Sequence, residues 1–246
     1  MHTTCPCYLL EGREDARLRA RLIDFRELSP DVRHFVFEVP GVPRLEFLAG
    51  QWVSLSEVLH GHRITRAYSI ASPPDGNRFE LCLNRVVDGH FSPYLFRLQP
   101  GDAVAMQGPL GTFTLRDPGA DAVFVATGTG IAPIRSILLD QLRRPARQQF
   151  TLLFGVRHEH GILYRDEFEE LERRCPGFHF IPTLSRPGGG WPGRTGHVQQ
   201  HLRDVLGDRR DLHIYVCGLK AMVNSVRSLL KEWGFDRKHI IYERYD

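Results

Sequence analysis

The sequence has no long hydrophobic run and no strong excess of charge of one sign. Among its 246 residues, 32 Lys and Arg stand against 29 Asp and Glu, which gives a net charge of +3. This balance is too mild to predict a nucleic-acid-binding groove, and no apolar run approaches the ~20 residues of a membrane-spanning helix. The N-terminal residues lack a positive start followed by a long apolar core, so no signal peptide is predicted. With 42% hydrophobic and 25% charged residues, the composition indicates a globular chain of one large or two small domains.

Cysteine is scarce and widely spaced. The five cysteines are Cys5, Cys7, Cys82, Cys175 and Cys217. An odd number at wide spacing does not predict a disulfide framework and favours a reducing compartment, the cytoplasm. It also provides no four closely spaced thiolates for an iron–sulfur cluster. The close pair Cys5 and Cys7 is compatible with a metal or redox site or with an unstructured tail, and residues 158–160 (His-Glu-His) are interpreted as a solvated loop. No metal site is predicted.

The first half of the chain contains short Val- and Phe-rich segments bounded by Gly, Pro, Asp or Asn. These predict strands at residues 16–25, 32–39, 51–56, 64–70, 79–86, 104–107 and 112–115. One helix is predicted around residues 92–98. Short strands with regular turn signals are typical of a small antiparallel barrel or sandwich.

The pattern changes near residues 117–119 (Asp-Pro-Gly). A continuous apolar strand at 122–126 is typical of a parallel sheet that is covered on both faces. Helices are then predicted at 131–143, 165–174, 198–206 and 220–233, and they alternate with strands at 150–156, 178–183, 212–217 and 239–242. This alternation predicts a doubly wound α/β domain. The expected fold is therefore an antiparallel β-barrel domain at 17–116 followed by a parallel α/β domain at 117–246.

Two segments could carry chemistry. Residues 128–133 (Gly-Thr-Gly-Ile-Ala-Pro) follow the first parallel strand, where glycines and a helix N-terminus can receive a phosphate. A tight strand-to-helix turn explains this segment as well, and Pro133 departs from the dinucleotide fingerprint. Residues 66–69 (Arg-Ala-Tyr-Ser) end a barrel strand and could serve a flavin, or could be an ordinary exposed strand end.

Six segments in this order resemble the ferredoxin–NADP reductase family over about residues 19–245. They are Arg66-Ala67-Tyr68-Ser69, Gly89-His90-Phe91-Ser92, Gly108-Pro109-Leu110-Gly111, Gly128-Thr129-Gly130-Ile131-Ala132-Pro133, Cys217-Gly218-Leu219-Lys220 and Glu243-Arg244-Tyr245. The resemblance implies a flavin-binding barrel and an NAD(P)-binding α/β domain, with FAD favoured over FMN.

The resemblance also implies roles for residues on the flavin side. Arg66 would pair with the flavin pyrophosphate, Tyr68 would pack on the flavin, and Ser69 would lie near the flavin N5 atom. Tyr245 would cover the flavin until nicotinamide displaces it. The further flavin-contacting positions are Ala67, Leu83, Asn84, Arg85, Gly89, His90, Phe91, Ser92 and Thr129. Phe91 could pack near the adenine or join the core.

The same resemblance implies a catalytic set and a nucleotide site. The catalytic set is Ser69, Cys217, Glu243 and Tyr245, in which Glu243 helps proton movement toward Ser69. The NAD(P) positions are Gly128, Thr129, Gly130, Val156, Arg157, Ser185, Arg186, Arg194, Gln199, Cys217, Gly218, Leu219 and Met222. Ser185 and Arg186 favour NADPH, whereas residues 191–196 resemble the NADH-using oxygenase reductases. NADPH is favoured overall.

The implied function is an FAD-dependent ferredoxin (or flavodoxin)–NAD(P) reductase. It would exchange a hydride with NAD(P)H and single electrons with a separate acidic carrier, because the chain has no iron–sulfur cysteines. Two alternatives remain: the reductase component of an oxygenase, and a flavin electron-transfer subunit without turnover of its own. Basic residues that could steer an acidic partner, or form a solvated face, are Arg97, Arg143, Arg144 and Arg147.

Overall fold

The structure, a computed structural model, describes residues 18–143 and 147–245. The strands of its first half are β1 (Leu18–Ser29), β2 (Val32–Glu38), β3 (Trp52–Leu59), β4 (His62–Ser69), β5 (Arg78–Asn84) and β6 (Ala103–Leu110). They form one antiparallel sheet in the order β4-β3-β6-β1-β2-β5. A bridge between Ile70 and Leu81 joins the end of β4 to β5 and so brings the two edges together. A short helix, α1 (Phe91–Leu95), interrupts the strands.

Alternating side chains build the core of this barrel. Phe35 and Phe37, two positions apart on β2, are fully buried together with Phe79 on β5, as the two-residue period of a strand requires. The rings of Phe37 and Phe79 stack with their centroids 5.4 Å apart. Burial of each such side chain contributes about 1.5–3 kcal/mol.

The prediction of a strand at 112–115 is wrong. The chain turns at Gly111, whose φ is +97° and whose missing side chain makes room for the Trp52 indole. Phe113 then places its ring edge-on against Tyr215, 5.9 Å away. This segment therefore packs on the second half of the chain instead of pairing in the sheet. The helix predicted at 92–98 also ends earlier, at Leu95.

The second half forms the predicted parallel α/β domain. Its strands are β7 (Ala122–Thr127), β8 (Phe150–Val156), β9 (Phe178–Leu184), β10 (Arg194–Thr195), β11 (His213–Leu219) and β12 (Ile240–Tyr245). Its helices are α2 (Ile131–Gln141), α3 (Arg165–Arg174), α4 (Val198–Leu206) and α5 (Lys220–Glu232). The strands are all parallel, in the order β10-β9-β8-β7-β11-β12. The two-residue strand β10 was not predicted.

One buried hydrophobic cluster spans the two halves. Ala71, Cys82 and Phe113 of the first half share it with Ile137 on α2 and Tyr215 on β11. The barrel is therefore attached to the α/β half through apolar packing at α2. Within the described ranges, no helix is long and apolar enough to cross a membrane.

Candidate active site

A turn at the centre of the parallel sheet marks the expected ligand site. The chain leaves β7 for β8 on one side and later returns to β11 on the other, so the strand order reverses between β7 and β11. Open parallel sheets bind ligands at such a point. A single 3-10 turn, Gly128–Gly130, leads from β7 into α2 here.

The two glycines of this turn meet different requirements. Gly128 has a φ of +54°, and no atom lies within 4 Å of the position a Cβ would take. A Cβ on Gly130 would instead collide with the main chain of Cys217 on β11. Gly130 therefore allows close packing of the turn on β11, whereas Gly128 leaves backbone open to an approaching ligand.

Thr127, the last residue of β7, has an unpaired hydroxyl at the same point. Its Oγ1 is buried and finds no hydrogen-bond partner among the residues described. A Cβ on Gly218, whose φ is +144°, would collide with this oxygen. An unpaired buried polar group costs about 1–3 kcal/mol, and a ligand with a hydrogen-bonding group would recover that cost.

The ends of β4 and β12 meet through hydrogen bonds. The Ser69 hydroxyl donates to Glu243 Oε1 at 2.8 Å and accepts from the Tyr245 hydroxyl at 2.6 Å. Glu243 pairs in register with Cys217 on the neighbouring strand β11. The structure thus brings together the four residues predicted as catalytic, one from the barrel and three from the α/β half.

Burial dominates the electrostatics of this group. It raises the pKa of the Glu243 carboxyl, and the hydrogen bond from Ser69 opposes that rise. Burial and then the charge of Glu243 raise the pKa of the Cys217 thiol well above its usual range. Burial also raises the pKa of the Tyr245 hydroxyl. Cys217 therefore stays a neutral thiol at neutral pH, which fits packing beside a ring better than nucleophilic attack.

The predicted flavin residues lie on and around β4. Tyr68 is half-buried and stacks on Phe91, with ring centroids 6.2 Å apart and planes 21° apart. Phe91 is 3% exposed and belongs to the barrel core, so it joins the core. Arg66 and Ala67 are exposed. The Arg66 guanidinium donates to the Thr65 carbonyl at 2.8 Å and has no carboxylate partner within the described ranges.

The turn before α1 is held by its own hydrogen bonds. Helix α1 begins at Phe91 with His90 at its N-cap. The Gly89 N–H donates to the Val86 carbonyl at 2.9 Å, and the Val86 N–H donates to Ser92 Oγ at 2.9 Å. The N–H of Gly89 is therefore already engaged, which leaves the Ser92 hydroxyl proton and the first N–H groups of the helix to meet a phosphate.

The other predicted flavin positions follow β5. Leu83 is buried in the barrel core, and Asn84 is exposed at the end of the strand. The Arg85 N–H donates to the Asp31 carbonyl at 2.8 Å, and its guanidinium lies 3.9 Å from the Asp31 carboxylate.

Two exposed cations follow neighbouring strands at the ligand-binding edge. The Ser185 N–H donates to the Val156 carbonyl at 3.0 Å, and the Arg186 N–H donates to the Arg157 carbonyl at 2.8 Å. The guanidiniums of Arg157 and Arg186 are exposed, and the described residues offer neither of them an ion pair or hydrogen bond. Unpaired arginines on adjacent strand ends favour binding of an anion such as a phosphate.

The remaining predicted nucleotide positions differ in their surroundings. Arg194 already pairs with Asp204, at 3.2 Å between Nη1 and Oδ2. Gln199, near the start of α4, has a buried Oε1 with no partner in the described part of the chain. Leu219 is 61% exposed, whereas Met222 is buried one turn later. An exposed apolar side chain and an unpaired amide oxygen are each suited to contact with a nucleotide.

A groove between the halves was not predicted from the sequence. It has a volume of about 730 Å³ and contains Glu243 and Trp52. Trp52 lies opposite Ser69 in the register of β3 and β4. The basic residues that line the groove are Arg116, His213, Arg237, Lys238 and His239. The run Arg237–His239 directly before β12 was the sequence signal that could have indicated a basic surface here.

The remaining predictions concern arginines, cysteines and two histidines. Cys5, Cys7 and Arg144 lie outside the described residues. Arg97, Arg143 and Arg147 are exposed, and His158 precedes a 3-10 turn, Glu159–Gly161, that contains His160 and has no buried residue. Cys82, Cys175 and Cys217 are free thiols. In the part of the chain that the structure describes, no three His, Cys, Asp or Glu side chains group as metal ligands would.

Family models match both halves of the chain. A model described as an oxidoreductase FAD-binding domain matches residues 19–115. A model described as an oxidoreductase NAD-binding domain matches residues 124–228.

Known proteins resemble the chain over both halves. Ferredoxin–NADP reductase B of Sorangium cellulosum (strain So ce56) is 48% identical over 237 residues, which cover 92% of this chain and 97% of that protein. The toluate 1,2-dioxygenase electron transfer component of Pseudomonas putida is 28% identical, over 94% of this chain and 68% of that protein. The solved structure of the Amycolatopsis cytochrome P450 reductase GcoB has a TM-score of 0.84 at 30% identity, over 92% of this chain and 69% of that chain.

Proposed function

The chain belongs to the ferredoxin–NADP reductase family, and from this premise we propose that it oxidises NADPH with bound FAD and passes single electrons to a small acidic ferredoxin or flavodoxin. It is a flavin-dependent oxidoreductase that uses FAD and NAD(P)H and serves an electron carrier such as ferredoxin. The preference for NADPH, the acidic character of the carrier and the residue roles are parts of the proposal. We assign residues 17–116 to the FAD-binding domain and 117–246 to the NAD(P)-binding domain, and we place the protein in the cytoplasm.

The hydrogen-bonded row of Tyr245, Ser69 and Glu243 carries this proposal. It joins the barrel to the α/β half at the point where a flavin on one and a nicotinamide on the other would have to meet. Because burial raises the pKa of Glu243, this carboxyl can hold a proton closer to neutral pH than an exposed one. The Ser69 hydroxyl, 2.8 Å from Glu243 Oε1, can pass that proton toward the reacting ring.

The residues present fit both cofactors. Gly128 leaves open space for a phosphate, Thr127 has a hydroxyl without a partner among the described residues, and Arg66 is exposed without a carboxylate in the same ranges. When bound, FAD supplies the exchange between two-electron and one-electron chemistry. The protein would bind and orient the rings, and the neutral Cys217 thiol would pack beside the nicotinamide.

We assign the preference for NADPH over NADH to the residues that directly follow β8 and β9 in the parallel sheet. Arg186 and Ser185 would hold the 2′-phosphate of NADPH, and Arg157 adds a second cation nearby. A charge-assisted contact of this kind contributes about 1.5–3 kcal/mol, which is a roughly 10- to 150-fold preference over NADH.

The basic groove supports an acidic carrier. Arg116, Arg237 and Lys238 line the same groove as Glu243, so an acidic surface seated there would come close to the Ser69–Glu243 pair. Opposite charge at such a surface raises the association rate, and the effect weakens with salt.

The test uses the purified, FAD-loaded chain. We expect NADPH to reduce ferricyanide, and to reduce a ferredoxin or flavodoxin at a rate that falls with ionic strength. The variant Lys238→Glu should slow the carrier reaction but not the reduction of uncharged benzoquinone. The matched variant Arg174→Glu, at the end of α3, should change neither. A chain that reduces ferricyanide with neither NADPH nor NADH would contradict the proposed function.

The reductase component of an oxygenase is the second candidate. The segment 191–196 resembles NADH-using reductases of that kind, and its Trp191 is fixed by a hydrogen bond from Nε1 to the Arg194 carbonyl at 2.9 Å. Preference for NADH in the same assay would favour this candidate, since the flavin chemistry is shared and the coenzyme and partner differ.

A further inference from the structure

A buried ion-pair cluster links α2 to the barrel. Arg135 on α2 is 6% exposed, and its Nη1 donates to the Ala71 carbonyl and to Glu80 Oε2, both at 2.7 Å. Its Nε and Nη2 donate to the two oxygens of Glu167 on α3, at 2.7 and 2.8 Å. One guanidinium thus makes two hydrogen bonds to the barrel and two within its own half.

The anchor points of Arg135 are close in the chain to the site. Ala71 follows Ser69 by two residues, and Arg135 follows Thr129 by six residues. Arg135 therefore connects the strand end predicted to meet the flavin with the helix whose first turn is predicted to meet the nicotinamide.

The next residue along α2 repeats the arrangement. The Ser136 hydroxyl donates to the Ser72 carbonyl at 2.5 Å and accepts from the Gly50 N–H at 3.3 Å. Two consecutive helix residues hold two consecutive barrel carbonyls, so both the distance and the rotation between the halves are fixed.

An aromatic ring supports the guanidinium. The ring centroid of Tyr164 lies 4.4 Å from the Arg135 guanidinium carbon, and the Tyr164 hydroxyl is 2.9 Å from Nδ1 of His34 on β2. Tyr164 has a φ of +58°, which a non-glycine residue adopts only where its surroundings enforce it. The support under Arg135 is therefore itself held in one conformation.

We propose that Arg135 is a positioning residue for the reaction, which fixes the geometry between the two halves and thereby the geometry in which nicotinamide and flavin meet. This inference rests on the proposed function. A displacement of about 1 Å between reacting groups can lower a rate by roughly 100-fold. The loss of Arg135 should therefore slow flavin reduction without removing a group that touches either cofactor.

The experiment compares Arg135→Met and Arg135→Lys with Arg33→Met. Arg33 is a matched control because, among the described residues, its cation contacts only barrel groups: it pairs with Glu27, donates to the Phe96 carbonyl at 2.8 Å and lies 4.3 Å from the Phe25 ring. Stopped-flow absorbance gives the rate of flavin reduction by NADPH. Hydrogen exchange at residues 70–73 and 131–137, in the full chain as purified, measures how firmly α2 is attached to the barrel.

In Arg135→Met we expect FAD to stay bound and NADPH to reduce it about 10- to 100-fold more slowly than in the wild type. Amide hydrogens at both segments should exchange faster. The rate of flavin reduction in Arg135→Lys should lie between those of the wild type and Arg135→Met, because one ammonium group cannot reproduce the planar, forked hydrogen bonding of a guanidinium. Arg33→Met should lower the melting temperature while flavin reduction stays within about twofold. Flavin reduction at the wild-type rate in FAD-loaded Arg135→Met would overturn the proposal, whatever its melting temperature.

If Arg135→Met fails to fold, the variant Glu80→Gln tests the proposal instead. This substitution keeps the two hydrogen bonds from Arg135 to Glu167 and weakens the hydrogen bond from Arg135 to Glu80 of the barrel. We therefore expect flavin reduction to be about threefold to tenfold slower and amide hydrogens at residues 70–73 to exchange faster. Wild-type values for both would overturn the proposal. A wild-type chain whose flavin neither NADPH nor NADH reduces would instead contradict the proposed function, and the exchange data would still test how firmly α2 is attached to the barrel.

Discussion

Lowering the pH from 7 to 5 should destabilise the folded chain by about 2 kcal/mol through His34 alone. His34 is 4% exposed on β2. Burial, and then the positive charges of Arg135 and Arg26, lower its pKa from 6.5 to about 3. The Tyr164 hydroxyl, 2.9 Å from His34 Nδ1, keeps its proton at neutral pH because burial raises its pKa, and the His34 Nε2 lies 3.7 Å from Glu80 Oε2.

Stability falls with decreasing pH because His34 binds its proton at a higher pH in the unfolded chain than in the folded one. Above pH 6.5 the imidazole is neutral in both states, and the full stability is present. Between pH 6.5 and about 3 only the unfolded chain binds the proton, so stability falls by up to about 1.4 kcal/mol per pH unit. From pH 7 to 5 these values give the loss of about 2 kcal/mol.

Urea unfolding between pH 5 and 7.5 measures this loss. The variant His34→Asn keeps an oxygen that can accept from Tyr164 but cannot titrate, so its stability should fall less with acid than that of the wild type, by about 2 kcal/mol. His62→Asn, exposed at the start of β4, controls for the change of residue type and should follow the wild type. Parallel pH profiles for wild type and His34→Asn would refute the reasoning.

Other expectations concern the site. Arg66→Ala should remove a phosphate contact of about 1.5–3 kcal/mol and lose FAD on dialysis, and stoichiometric retention of FAD would contradict the assignment. Tyr245→Ser should tighten nicotinamide binding and slow product release, and unchanged nucleotide affinity, turnover and flavin spectrum would place Tyr245 elsewhere. Burial raises the pKa of Glu243, so wild-type stability falls as the pH rises through that folded-state pKa. The melting temperature of Glu243→Gln should therefore exceed that of the wild type more at pH 8 than at pH 4. Arg186→Ala should raise the KM for NADPH about 10- to 150-fold and leave that for NADH unchanged, and equal effects on both would exclude Arg186 as the discriminating residue.

Local patterns were sufficient for much of the fold. The bounds predicted for β8, α3 and α4 agree with the structure at both ends, because the buried residues of each follow the period of its element, as Phe168 and Leu171 do on the otherwise polar α3. The segment 112–115 has the same local pattern as a strand but buries Phe113 against Tyr215. Partners so distant in sequence are set by tertiary packing, which the local pattern does not contain.

The site was predictable for a different reason. Ser69 ends β4, and Cys217 and Glu243 each lie two residues before the end of their strands, in family motifs that imply their meeting. Arg135 has no such signal, since its partners Glu80 and Glu167 are 55 and 32 residues away. A charged residue on a helix is normally exposed, so only the folded chain shows this one to be buried and paired.

Apolar packing and hydrogen bonds make different contributions at the junction of the halves. The apolar cluster around Phe113 and Tyr215 supplies attraction, but the hydrophobic effect has no direction and does not set an angle. The hydrogen bonds of Arg135 and Ser136 are directional and would set that angle as proposed. The Ser69–Glu243 hydrogen bond spans the same junction, and under the proposed function it would change partners whenever a proton passes. If α2 sets the orientation of the halves as proposed, Ser69 and Glu243 can exchange hydrogen-bond partners without disturbing it.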